Sequence, residues 1–304
     1  MHWILIALIP PFVWSCSNII DQYICRRYFD GSNLLFVFFF IGCTNLPFAL
    51  GIPVFAPFVF DIPLSKILTL MLGGQFYMAC LYPYFRALQS DDASVAVPIF
   101  QTIPVFTFLI GYVVLGETLN TNQMIAGLII MLAAIGIAWD LEKKSLKIKT
   151  LLLMLITSLG FSAYTVFLRV HAPDLHWLVI SYWAFAGWTV VGLAGLVVHR
   201  PTRQYIARMT RDTRGVMWVW GVLQEGFDNI ATCALIMALA LAPTAVHVTL
   251  VNGLQPFIAI LLSGLVGLFV PHYFTPLRAN RIFAVKLILC CVMFCGLYIL
   301  TKVA

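Results

Sequence analysis

Ten apolar runs, each long enough for a helix to cross a bilayer, follow one another along the chain with little between them. They lie at roughly 3–22, 34–54, 67–88, 93–115, 121–139, 150–169, 177–198, 216–241, 245–269 and 283–301. A spanning helix needs about 20 apolar residues. In lipid every backbone N–H and C=O must be satisfied inside the structure, so such runs predict helices and not an open sheet. The expected fold class is an all-α integral membrane protein with ten transmembrane helices. Only 10% of the residues are charged, against about 25% in a soluble domain. The connections are short except 199–215 and 270–282, which leaves no soluble domain to bind nucleic acid or hold a cofactor.

The first run lacks the basic start of a cleaved signal peptide, so it is expected to stay in the protein as a span. Of the eight cysteines, all but Cys25 sit well inside apolar runs, and none forms a CxxC pair. They are expected to pack as small apolar residues, with no metal and no cofactor.

The charges divide by side. Fifteen of the 18 Lys and Arg fall in or beside the loops opposite the N-terminus, including Arg200, Arg203, Arg208, Arg211 and Arg214. Only Lys66, Arg169 and Lys302 fall on the other side. The positive-inside rule makes the basic side cytoplasmic and places both termini outside. The expected location is a bacterial inner (plasma) membrane.

The chain also repeats. "YFRALQSDDASVAVPIFQTIPVFTFLIG", from Tyr84, and "IMALALAPTAVHVTLVNGLQPFIAILLSG", from Ile236, align when Pro104 is set on Pro256, an offset of 152. Each copy has a helix end, a tight polar break, a new helix, and a proline about a dozen residues on. A weaker match sets Trp14-Ser15 on Phe161-Ser162. The expected organisation is two halves of five spans, 1–140 and 150–304. Five is odd, so the second half must cross the membrane in the opposite sense, the pattern of alternating-access transporters with a site near the midplane.

The run from Tyr82 to Trp139 resembles the drug/metabolite transporter superfamily, in its ten-helix form with two EamA-type halves. The aromatic–Ala-Leu helix end, the Ala-Ser-Val helix start, Pro104 within a helix, and Gly116-Glu117 closing the fourth span carry the resemblance. The second half departs from it, with Phe269 where the family repeats the Glu. The resemblance implies a central cavity ringed by helices, with the fifth and tenth spans outside it. It also implies cytoplasmic termini, the reverse of what the charge count implies.

Two acidic residues stand in the middle of an apolar run. Glu225 and Asp228 sit three residues apart in the eighth span. A carboxylate near the bilayer centre costs about 2.5–3.5 kcal/mol on insertion scales. Asp228 lies roughly 18 Å along its helix from the basic side, close to mid-membrane. Residues three, four and seven apart share a helix face. By that spacing Glu225, Asp228, Asn229 and Thr232 form one face. Gln75, Tyr82 and Arg86 form a second on the third span, and Trp14, Asn18 and Asp21 a third on the first. Ser158, Ser162, Thr165 and Arg169 form a fourth on the sixth span, and Asn252 stands four residues before Pro256.

These faces are expected to converge on one wet cavity, where the carboxylates bind a cation, exchange a proton, or pair with a base such as Arg86. A carboxyl held among apolar walls near another carboxylate is the kind of group that exchanges protons near neutral pH. Structural readings stand beside each of these. The acidic pair can be a network tied to Arg86, Arg86 and Asp21 can snorkel to the surface, and Ser162 and Thr165 can bond within their own helix. Pro104 and Pro256 are expected to set kinks, and His247 to mark the start of the ninth helix.

The functional expectation is a secondary transporter of a small polar metabolite. The candidates are a cationic or zwitterionic amine, an amino acid or a drug-like solute, moved by proton coupling or exchange. The alternative is a facilitative channel or a scaffold. The expected partners are the solute, protons, the lipid bilayer, and a second copy packed through the small-xxx-small pair Cys291 and Cys295. No P-loop, HExxH or GxSxG occurs, so neither an ATP-driven pump nor an enzyme of those classes is expected.

Overall fold

The structure is a computed structural model. It describes all residues except 1, 30–32, 92, 116–120, 138, 141–144, 173, 243–247, 249–250, 273–280 and 303–304. The described chain is almost wholly helical: α1 His2–Ala7, α2 Ile9–Tyr28, α3 Leu34–Thr44, α4 Leu46–Phe55, α5 Leu64–Leu88, α6 Ala93–Ile99, α7 Ile103–Leu115, α8 Thr121–Ile137, α9 Ile148–His171, α10 Trp177–Val198, α11 Arg200–Asp212, α12 Val216–Leu241, α13 Gln255–Phe269 and α14 Arg281–Lys302. The β structure among the described residues is one short antiparallel pair, β1 Trp139–Asp140 with β2 Ser145–Leu146, between α8 and α9.

Seven segments are long and apolar enough to cross a membrane: Trp3–Tyr28, Leu34–Phe55, Leu64–Leu88, Val95–Val114, Ile148–His171, Trp177–Val198 and Val216–Leu241. Three shorter apolar helices, Met124–Ala133, Phe257–Phe269 and Leu287–Gly296, fall where three further spans are expected. The outer faces carry exposed side chains such as Val54, Phe55, Val113, Leu128, Val198, Phe269 and Ile288. A soluble monomer does not present so continuous an apolar surface. The chain is a multi-pass membrane protein.

Proline punctuates the helices by removing an N–H from the i→i−4 ladder. Pro10 and Pro11 stand in the first turn of α2, directly after the break from α1. Pro47 stands in the first turn of α4, just past the break at Asn45. Before Pro104 the helix tightens into a 3₁₀ turn over Phe100–Thr102. Pro256 stands in the first turn of α13, after a turn at Gly253 and Leu254. Both prolines expected to kink a helix therefore sit just past an interruption.

The connection 199–215, expected as a loop, is largely the helix α11. Pro201 opens it, and Thr202 and Ile206 on its inner face are buried. Arg214 and Gly215, both at positive φ, reverse the chain into α12. Five of its 13 residues are charged and its apolar stretch is short, so an apolar-run reading passes over it.

Helix pairs meet closely. α2 packs on α12, α5 on α9 and α10, α3 on α10 and α12, α7 on α9, α13 on α2 and α6, and α8 on α14. Small residues permit the closest of these approaches. A Cβ built on Gly42 would lie 2.7 Å from the Cα of Gly192, and one on Gly74 2.1 Å from the carbonyl oxygen of Ala184.

Candidate functional site

The crossing of α2 on α12, faced by α5 and α9, leaves a cavity of about 110 Å³. That is room for several waters or for the head of a small solute, since a single water needs about 10–15 Å³ on this measure. From α2 it is lined by Trp14, Asn18 and Asp21, at spacings of four and three. From α12 it is lined by Gln224, Glu225, Asp228, Thr232 and Leu235. Those spacings put one face of each helix on the cavity.

α5 contributes Tyr77, Leu81, Tyr84 and Phe85, and α9 contributes Phe161, Tyr164 and Thr165. The interrupted segments close the remaining side with Phe100, Gln101, Ile103 and Pro104 from one and Asn252 and Gln255 from the other.

Three carboxylates face this space. Asp21, Glu225 and Asp228 are 4%, 1% and 8% exposed. The indole Nε1 of Trp14 donates to Asp228 Oδ1 at 3.0 Å. The Tyr84 hydroxyl lies 3.1 Å from Asp21 Oδ2 and 2.9 Å from Asn18 Oδ1, with one proton to give between them. Asp21 Oδ1, Glu225 Oε2, Asn18 Nδ2, Gln224 Oε1 and Asn252 Oδ1 are buried and have no hydrogen-bond partner among the described residues. No Lys, Arg or His is among the described lining residues.

Aromatic rings make the walls. Tyr77 lies between Trp188 and Phe161, with ring centroids 4.8 and 4.7 Å away and planes within 13°. Phe161, Phe100 and Tyr84 continue the series at 5.6 Å steps.

Of the residues singled out in the sequence, Trp14, Asn18, Asp21, Pro104, Thr165, Glu225, Asp228, Thr232 and Asn252 line this cavity. Asn229 is turned away. Its amide donates to Asn45 Oδ1 at 2.9 Å and to the Glu225 carbonyl at 2.7 Å. Asn45 in turn donates to the Phe185 carbonyl and to Thr189, which ties the break between α3 and α4 to α10 and α12.

Gln75, Tyr82 and Arg86 are not among the lining residues. Tyr82 and Arg86 are exposed, and Arg86 donates to Gln89 at 3.2 Å. Arg86 therefore does not neutralise the acidic pair. The cavity face of α5 is instead the one bearing Tyr77, Leu81, Tyr84 and Phe85, turned by roughly half a circle from the expected stripe.

Ser162 and Thr165 bond their own helix, at the carbonyls of Ser158 and Phe161. Arg169 donates to the Leu239 carbonyl. His247 and Glu117 lie outside the described residues.

A family model, that of the EamA-like transporter family, matches residues 1–139. Over this segment, a little under half of the chain, the sequence is similar to that family, a branch of the drug/metabolite transporter superfamily. The EamA-like segment supplies Trp14, Asn18, Asp21, Tyr77, Tyr84 and Pro104 to the cavity, whereas Glu225 and Asp228 lie beyond it. No curated protein sequence matches the chain. A solved structure described only as "Crystal structure of protein" shares the fold, with a TM-score of 0.64 at 15% identity, over 100% of this chain and 97% of its own.

Proposed function

We propose that this EamA-like protein is a secondary transporter of a small organic cation, driven by proton coupling or exchange. The observation that carries the reading is the charge of the cavity. Three buried carboxylates face it, and no basic side chain is among its described lining residues. A buried carboxylate carries a penalty of several kcal/mol unless a counter-charge or a proton meets it. A cationic solute supplies the first and solution the second, and competition between them couples their movements. The aromatic walls add attraction for a cation with apolar substituents. A zwitterion would bring a carboxylate against carboxylates, so an amine without an acid group fits better than an amino acid.

The reading includes ten spans in two inverted halves, and helix pairing supports this. Exchanging the halves turns the pair α2–α12 into α9–α5, α5–α10 into α12–α3, and α7–α9 into α13–α2. The pairs α3–α10 and α8–α14 map onto themselves, and every pair named here is in contact. A cavity between inverted halves suits alternating access. The protein acts in this reading as a carrier and not as an enzyme, with its arginine-rich α11 in the cytoplasm and its termini outside. A homodimer would pack on the face of α14 that exposes Cys291 and Cys295.

Counterflow in proteoliposomes tests the function. A carrier preloaded with an unlabelled aryl or alkyl amine accumulates the labelled amine transiently, against its gradient. A channel leaks without overshoot. No overshoot with any of a panel of organic cations would remove the reading.

A further inference from the structure

Two serines make the same bond in the two halves. The Ser162 hydroxyl lies 2.8 Å from the carbonyl of Ile103, the residue before Pro104. The Ser15 hydroxyl lies 3.2 Å from the carbonyl of Gln255, the residue before Pro256. The sequence alignment that sets Pro104 on Pro256 also sets Ile103 on Gln255, and the one that sets Trp14 on Phe161 sets Ser15 on Ser162. The two bonds are thus counterparts.

Each hydroxyl also faces the carbonyl four residues back on its own helix, Ser158 at 2.7 Å and Pro11 at 2.6 Å. A hydroxyl has one proton to donate. It is shared here between the home helix and the neighbouring one. Both serines are fully buried.

We infer that Ser15 and Ser162 are paired clamps on the interrupted helices, positioning residues whose release alternates during transport. The inference rests on the alternating-access reading above. Pro104 and Pro256 bring no backbone donor of their own to these interrupted segments, so the serine hydroxyls serve as side-chain ties on them. A serine carbonyl bridge holds each one against α9 or α2. Letting go strands no buried donor, because the proton stays with the carbonyl of its own helix. A clamp built this way opens easily and closes again at the same place. Since the clamps are related by exchange of the halves, loss of one favours one facing state and loss of the other favours the opposite state.

Distance measurement by spin labels tests this in the full-length protein in nanodiscs. One label pair sits at the cytoplasmic ends of α5 and α12, and one at their outer ends. Ser15→Ala and Ser162→Ala are each compared with the parent, with Ser15→Thr and Ser162→Thr, which keep the hydroxyl, and with the double alanine variant. One hydrogen bond corresponds to about a two- to tenfold change in a population ratio.

The expected result is a shift of that size in opposite directions for the two alanine variants, near-parental populations in the threonine variants, and partial restoration in the double variant. Shifts in the same direction, or lowered melting temperatures with unmoved populations, would overturn the inference and leave alternating access standing. A single parental population unchanged by pH and by an aryl amine would overturn both. If an alanine variant does not fold, the threonine variant together with the opposite alanine variant decides by the same signs.

Discussion

Trp14 on α2 and Asp228 on α12, 214 residues apart in sequence, are joined by one bond of 3.0 Å inside the cavity. It orients the carboxylate of Asp228 and uses one lone pair of Oδ1. The rest of that carboxylate is left for a ligand or a proton. If the bond positions the group, Trp14→Phe and Asp228→Asn should be coupled. Hydrogen bonds to charged groups contribute about 1.5–3 kcal/mol. A double-mutant cycle on amine affinity should return a coupling of about 0.5–3 kcal/mol. Additivity within error would assign Trp14 to the wall alone.

Asp228→Asn keeps the shape and removes the titratable charge. We expect a folded, inserted protein that has lost most exchange. In the parent, protons and the amine compete for the same oxygens, so amine affinity falls as pH falls. In Asp228→Asn that dependence should flatten. Isothermal binding and proteoliposome exchange across pH, beside Glu225→Gln and Asp21→Asn, provide the comparison. A parental pH profile in Asp228→Asn would take the residue out of the mechanism.

Much of this site can be read from spacing, and the parts that cannot have a common cause. The faces of α2 and α12 are legible because each carries charged or amide groups at three- and four-residue steps in an apolar run. On α5 the same rule selects Gln75, Tyr82 and Arg86, and the cavity face is the other one. There the polar atoms are the hydroxyls of Tyr77 and Tyr84, which a hydropathy reading counts as apolar. Asp21, read in sequence as equally able to snorkel, is held inside by Tyr84. Asn45 carries no periodic signal, because its role comes from a helix break and a contact with Asn229 across 184 residues. The amphipathic α11 is hidden in the same way, by charges that mark it as a loop.

The close helix crossings give a test of the fold alone. Gly42→Ala would place a methyl 2.7 Å from the backbone of Gly192, and Gly74→Ala one 2.1 Å from that of Ala184. Neither backbone can move without shifting its helix. Overpacking of this kind costs about 1–3 kcal/mol and sometimes more. Both variants should melt lower or express poorly. Gly51→Ala, with nothing within 4 Å of its added methyl, should be neutral. Parental melting of Gly74→Ala would mean that α5 and α10 are farther apart than described.

Asp91 ties the turn after α5 to the start of α9. Its carboxylate accepts from Lys147, at the N-cap of α9, and from the Thr150 hydroxyl in that helix's first turn. Asp91 is the more buried partner, its side chain 10% exposed against 31% for Lys147. Asp91→Ala removes both bonds and leaves Lys147 able to turn to water, so the loss should be about 1–2 kcal/mol and show as a lower melting temperature. Lys147→Met should lose less, because Thr150 still donates. Equal melting of the parent and Asp91→Ala would mean that these contacts do not form in the membrane.

Orientation is the last test. α11 carries Arg200, Arg203, Arg208 and Arg211 with Asp212 as its one acidic residue, and Arg214 follows directly. The helix is anchored to the bundle through the Tyr205 hydroxyl, 2.6 Å from the carbonyl of Tyr28, and through the Tyr205 ring stacked on Phe36. Its outer face, including Gln204, is exposed. Arginines in a short loop at the end of a span hold that loop in the cytoplasm. Gln204→Cys, in a chain freed of its eight native cysteines, should resist a membrane-impermeant maleimide in intact cells and react once the membrane is opened. A cysteine at exposed Phe55, at the far end of α4 and thus on the same side as the N-terminus, should behave in the reverse way. Labelling of the 204 site from outside, with protection at 55, would invert the topology and place both termini in the cytoplasm.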